Sequence, residues 1–415
     1  MKIVDYLIVG GSAAGTTAAD VIRTSAPDAT ISILTDEPHE FYSRVLIPHY
    51  IRHRVTRDHV FLKTPEWYVQ RKIDLVKGVR AEKLDAGKKE VSANNGEVYK
   101  YSKLLISVGG KLIPFDAPGS NLGNILYLRT VDDADKIIEV SKKAKKGVII
   151  GGGFIGLEFA SSFKANGIED VSVLVIEPYY WFGKLDEQSS MVLTATLERN
   201  GVKVYLEEEV EKFEGESNVT AVITKVGSRY DAQAVGIGIG IRPDLDWLRV
   251  SGININRGIV TNEFLETNIP DIYAAGDCAE FKDVVFGRQH ILGNWANATN
   301  QGSVVARTMC GQRTVYETAS FYTTNFFDGS CSFIGVTDDK FADEILSRGS
   351  VELGKMTRVY IKTIEGVMRI VGATVIDNSA EVAPLTALIK GKVNIAYNRE
   401  KLSDISFNLV ELTKF

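Results

Sequence analysis

Cysteine is scarce in this 415-residue chain. Cys278, Cys310 and Cys331 stand far apart, in no CxxC, CxxxxC or metal-ligand spacing. That excludes a disulfide framework and a dithiol able to accept an electron pair, and leaves reduced, structural thiols as the expectation. Histidine is nearly as rare, with five residues. His39, His49, His53 and His59 fall in one stretch, but without tight spacing and among arginines that oppose a cation, so no metal is expected. No apolar run is long enough for a secretory signal or a membrane span, which makes a cytoplasmic protein the expectation. Positive charge is not in excess either: the formal net charge is -5, which gives no global attraction for nucleic acid. What remains, 45% hydrophobic and 24% charged residues, is the balance of a globular chain. Its length calls for two or three domains.

One pattern occurs twice. The apolar strand Tyr6-Leu7-Ile8-Val9 runs into Gly10-Gly11-Ser12-Ala13-Ala14-Gly15 and a small-residue helix from Thr16 to about Arg23. Gly147-Val148-Ile149-Ile150 runs into Gly151-Gly152-Gly153-Phe154-Ile155-Gly156 and a helix from Leu157 to Lys164. Such a turn needs glycine to reverse tightly, to let backbone approach a pyrophosphate, and to let the helix pack on the strand. The helix amides then hold the phosphates. Each copy leads to a second strand, Ile31 to Leu34 and Val173 to Ile176, with an acid beyond it at the same offset, Asp36 and Glu177. Either acid suits ribose hydroxyls, and Glu37 beside Asp36 is an equal candidate. Ser12 departs from the fingerprint, taking the second glycine's place beside the pyrophosphate. After Glu177 no Lys or Arg precedes Lys184 to meet a ribose phosphate, which favours NADH over NADPH. A single turn of this kind also closes ordinary strand-helix units; the matched pair points to two dinucleotides. Ile272 to Ala275 forms a further short strand ending in Gly276-Asp277, a carboxylate at the ligand edge of a parallel sheet.

With these residues the chain resembles the FAD/NAD(P)-dependent pyridine nucleotide-disulfide oxidoreductase family, in particular its rubredoxin and ferredoxin reductases and NADH oxidases. Thr267 to Ala279 is similar to the family's second FAD motif, in which Asp277 holds an FAD hydroxyl. Tyr101 to Gly110, ending in Gly109-Gly110, and Gly236 to Pro243, with Gly240, resemble the two crossings between its domains. Phe41 to Tyr50 resembles the flavin-contacting stretch, with Ser43 and Arg44 toward FAD, and Gly293 to Gly302 the segment that brings Trp295 to the flavin. The implied fold class is α/β: two doubly wound, Rossmann-like dinucleotide-binding domains and a C-terminal α+β interface domain. The expected boundaries are 1-112 with 245-320 for FAD, 113-244 for NAD(H) and 321-415 for the tail, which supports a homodimer in the family.

The resemblance also implies chemistry. Val45 stands where disulfide-reducing relatives carry a redox cysteine, so electrons must leave the flavin directly. A lysine of the family corresponds to His49 and its glutamate partner to Glu158, and these two are the expected catalytic pair for the flavin N5 proton. The expected activity is hydride transfer from NADH to FAD. Electrons then go to a small acidic iron-sulfur carrier such as a ferredoxin, to rubredoxin or to a quinone-like acceptor, with the basic stretch Arg52 to Lys63 steering an acidic partner. The alternatives are a hydrogen peroxide-forming NADH oxidase and a non-enzymatic, NADH-responsive flavoprotein switch.

Overall fold

The computed structural model describes residues 1-414. The chain packs into two compact units. Met1–Leu46, Val55–Lys111 and Ile241–Thr318 form one; Ile47–Arg54, Leu112–Gly240 and the chain from Ala319 onward form the other.

In the first unit a seven-stranded sheet has the order Ile73–Lys77, Ile31–Thr35, Lys2–Val9, Val98–Ile106, Glu90–Ala93, Ala81–Asp85, and Ile272–Ala274 also pairs with Val98–Ile106. Glu90–Ala93 pairs antiparallel with both Ala81–Asp85 and Val98–Ile106; the other pairings are parallel. Parallel strands covered on both faces need apolar side chains pointing both ways. That is why Leu7-Ile8 and Leu104-Leu105-Ile106 read as unbroken apolar runs, and all five are fully buried. Helices Ala13–Ser25 and Trp295–Met309 touch at backbone distance: a Cβ on Gly302 would lie 2.4 Å from the Ala14 carbonyl oxygen.

The second unit repeats this winding. Its parallel sheet has the order Val202–Tyr205, Asp170–Leu174, Lys146–Ile150, Ala234–Ile237, Ile125–Tyr127. In both units the strand that leads into a glycine turn is central, which puts that turn at the carboxyl edge where doubly wound sheets bind ligands. The tail adds a five-stranded antiparallel sheet, Phe321–Phe326, Gly329–Gly335, Val367–Ile376, Lys355–Ile364, Glu344–Ser350, with helix Val382–Lys390.

Two local expectations shift. Both turn helices start earlier, at Ala13 and Phe154, directly on the glycine turns. The strand expected over Val173 to Ile176 is Asp170–Leu174. Ile176 lies beyond it and is exposed, because its apolar side chain belongs to the loop after the strand.

Candidate active site

The two glycine turns have one construction. Gly10 and Gly151 both hold φ of 114°, and a Cβ on either would strike a carbonyl oxygen of the neighbouring strand's end, Ser107 at 2.2 Å and Gly238 at 2.5 Å. A Cβ on Gly15 or Gly156 would lie 1.9 or 2.3 Å from the carbonyl oxygen of Gly10 or Gly151, so helix and strand can meet this closely only through glycine. The middle positions differ. Gly153 faces open space; Ser12 is the N-cap of its helix and makes no side-chain cap bond. These cradles fit pyrophosphates.

Around the first turn the structure gathers most of the expected FAD residues. A Cβ on Gly276 would touch that of Ala14 at 3.4 Å, so the Gly276-Asp277 turn adjoins Ala13, Ala14 and Gly15. Arg44 bonds the Glu37 carboxylate and Tyr42 donates to it, while Asp36 is exposed. Against the pull of burial, the charges of Tyr42 and Glu37 and then of Asp277 hold the Arg44 guanidinium up. Ser43 is buried, its hydroxyl accepting from the Leu46 amide. Trp295 stacks on Phe41, ring centroids 5.4 Å apart and planes 4° from parallel. Gly109 and Gly240 lie close to two of the places where the chain passes between the units.

The second turn has an apolar rim. Phe154, Ile176, Phe182 and Ile239 are all exposed there, and Ile155 packs where a Cβ on Gly238 would come within 3.1 Å. The loop that carries Glu177 folds back onto the turn: the Trp181 amide donates to the Gly152 carbonyl at 2.8 Å, and the buried Tyr180 hydroxyl to that of Gly153 at 3.2 Å. Trp181 holds a left-handed backbone, φ 61°, edge-on to both Phe154 and Phe333.

The expected partnership of His49 with Glu158 is replaced. Glu158 pairs with Arg52, Nη1 to Oε2 2.8 Å, with side chains only 5% and 7% exposed, and its other oxygen accepts from Thr324 at 3.3 Å. Arginine three residues on has the longer reach and a charge it cannot lose, so it takes the buried carboxylate. Burial pushes the Glu158 carboxyl up, against the pull of Arg52, Thr324 and Arg54. Burial, then the charges of Arg52 and Arg54, push His49 down, toward the neutral imidazole. The segment Ile47–Arg54 is pinned further by His53 to Asn166, 2.9 Å, by Asn166 to the Ile51 carbonyl, 2.9 Å, and by Tyr50 to Asp135, 2.7 Å.

Sequence reasoning missed Tyr180, Trp181 and Gln301, and it counted Arg52 in the basic steering stretch, whereas its side chain is buried against Glu158. It also missed Asn294, which caps the Trp295 helix by accepting from the Asn297 amide at 2.8 Å; asparagine directly before a helix is a readable cap signal. No helix among the described residues is long and apolar enough to cross a membrane.

Two wound sheets, each with a phosphate-shaped turn, define a protein built for two dinucleotides. The chain belongs to the pyridine nucleotide-disulphide oxidoreductase family, whose sequence profile matches residues 4-302; its relatives are NAD(P)H-dependent flavin oxidoreductases that bind FAD and NADH. It is 29% identical to the nitrite reductase [NAD(P)H] of Bacillus subtilis over 94% of this chain but only 48% of that one, so it spans about half the length of that relative. It is 31% identical to the NADH-rubredoxin oxidoreductase of Clostridium acetobutylicum, covering 76% and 77% of the two chains. Among solved structures, a covalent putidaredoxin reductase-putidaredoxin complex matches with a TM-score of 0.91 at 25% identity, over 99% of this chain and 98% of that one.

Proposed function

We propose that this chain is an NADH-dependent FAD reductase that hands electrons to a small redox protein of the rubredoxin or ferredoxin kind. In this reading residues 1-112 and 245-320 hold FAD, 113-244 hold NADH and 321-415 form an interface domain. The observation that carries it is the pair of glycine turns of one construction. Bound flavin accepts a hydride and releases electrons singly or in pairs, which is what an obligate one-electron acceptor requires.

No thiol stands at the position from which disulfide-reducing relatives would intercept those electrons. Val45 occupies the cysteine position, burial pushes the Cys278 thiol up to about 12, and Cys331 is pushed up likewise. Gly10, Ser12 and Gly15 with the helix behind them hold the FAD pyrophosphate, Asp36 or Glu37 the adenosine ribose, and Asp277 a hydroxyl. Glu177 holds the NADH ribose and, with no Lys or Arg following it before Lys184, disfavours the extra phosphate of NADPH. With Glu158 held by Arg52, the neutral His49 imidazole is the group suited to move a proton. The solved reductase-putidaredoxin complex and the rubredoxin oxidoreductase support the acceptor class.

The test is anaerobic stopped-flow reduction of the yellow protein by NADH and NADPH, then reoxidation by rubredoxin, a ferredoxin, a quinone or oxygen. Fast reduction by NADH and fast reoxidation by a carrier protein are expected. Reoxidation by oxygen alone would favour the oxidase, and no reduction would overturn the enzyme.

A further inference from the structure

Gln301 lies in helix Trp295–Met309 and is fully buried. Its Oε1 accepts from the Gly276 amide at 2.7 Å. Only the carbonyl end of a carboxamide can face an N–H, so this bond fixes which way the side chain lies. Nε2 then points the other way, sealed from solvent and with no acceptor among the described residues. A buried donor left unpaired costs about 1–3 kcal/mol, so its persistence in so closely packed a place needs a reason.

The place is informative. Gly276 holds φ of 82°, directly before Asp277. Its missing Cβ would meet Ala14 at 3.4 Å and Ala298 at 3.8 Å, and the next helix residue, Gly302, lies against the Ala14 backbone. The carboxamide therefore sits where the first glycine turn, the Gly-Asp turn and the second helix converge.

We propose that Gln301 is an FAD-site residue with two tasks: its carbonyl fixes the Gly276 peptide and so aims Asp277, and its amide donor is completed by an oxygen brought by the dinucleotide. That oxygen belongs to the pyrophosphate or the ribityl chain and is reached directly or through one bridging water. The inference rests on the proposal that the first unit holds FAD and deepens it.

The experiment measures FAD dissociation from reconstituted protein, and thermal unfolding of the flavin-free protein, for wild type, Gln301→Glu and Gln301→Met between about pH 5 and pH 8. A carboxylate keeps the acceptor but lacks the donor; once protonated, it donates again. Gln301→Glu is therefore expected to bind FAD roughly tenfold or more weakly at pH 8 and to recover toward acid pH as the buried carboxyl takes up a proton, while wild type stays flat. Gln301→Met is expected to lose affinity at every pH. Wild-type affinity in both variants would overturn the inference. So would weaker binding that follows the stability of the flavin-free protein and not pH, since a merely structural glutamine would behave that way. A wild type that binds no FAD at any pH would instead sink the function proposed above.

Discussion

At the scale of single residues the Arg52–Glu158 pair sets the sharpest expectation. Two charges this buried are stable only together, because either one left alone keeps its desolvation cost without compensation. Arg52→Met should cost about 3–5 kcal/mol in denaturant unfolding. Arg52→Lys should cost less, and Arg52→Met with Glu158→Met should recover most of the loss, since an apolar pair of similar volume needs no compensation. A double variant as unstable as the sum of its parts would mean the ion pair is not the coupling. Asp283 offers a second test. It is buried, caps the Val285 and Phe286 amides, and burial pushes its carboxyl up to about 6 from 3.8. A carboxyl raised on folding contributes stability that is fully present below its unfolded value and is lost as pH rises through its folded one. Wild-type stability should therefore fall between about pH 4 and pH 6, by on the order of 3 kcal/mol. Asp283→Asn, which keeps the acceptor, should flatten that window in urea titrations. An unchanged slope would remove Asp283 as the cause.

At the scale of elements the glycine turns decide what the sheets can bind. Gly156→Ala puts a methyl 2.3 Å from the Gly151 carbonyl oxygen and 2.9 Å from the Tyr180 hydroxyl. It should push the helix off the strand, weakening NAD⁺ binding by at least about tenfold while leaving FAD content near wild type, which isothermal titration and absorbance would read. Loss of FAD instead would mean that the second turn does not serve the nicotinamide cofactor. These turns were legible in the sequence because glycine is a local requirement there: Gly10 and Gly151 hold φ of 114°, and Gly15 and Gly156 each approach the carbonyl of the glycine five residues before. The central strands were legible for the related reason that burial on both faces leaves only apolar choices. Arg52 was not, since its partner lies 106 positions away and the choice between His49 and Arg52 depends on reach and burial within the fold. Nor was the Ile176 boundary, because an apolar residue in the loop after a strand reads like one more strand residue. Gln301 escaped for a third reason. Nothing in a helix sequence reveals that one amide has its acceptor and lacks its donor's partner.

At the scale of the molecule, division into two compact units has a thermodynamic consequence. A chain whose halves each bury their own sheet need not unfold in one step, and multidomain proteins commonly depart from two-state behaviour. Flavin-free protein in a scanning calorimeter should accordingly give two transitions. A ligand that binds only the folded form of one unit stabilises it by RT ln(1 + [L]/Kd), about 2.7 kcal/mol at a hundredfold excess over Kd. FAD should raise one transition and NAD⁺ the other, and the two together should give both shifts at once. Gly156→Ala should shrink the NAD⁺ shift and leave the FAD shift, while Gln301→Glu at pH 8 should do the reverse. If both ligands moved the same transition, the assignment of one dinucleotide to each unit would fail even with both cofactors bound. If a single transition moved with either, the units unfold together, and the segment Ile47–Arg54, which leaves the first unit's chain to be clamped in the second by Arg52, His53 and Tyr50, is the place to look for the cause. Arg52→Met would then be expected to split that transition in two.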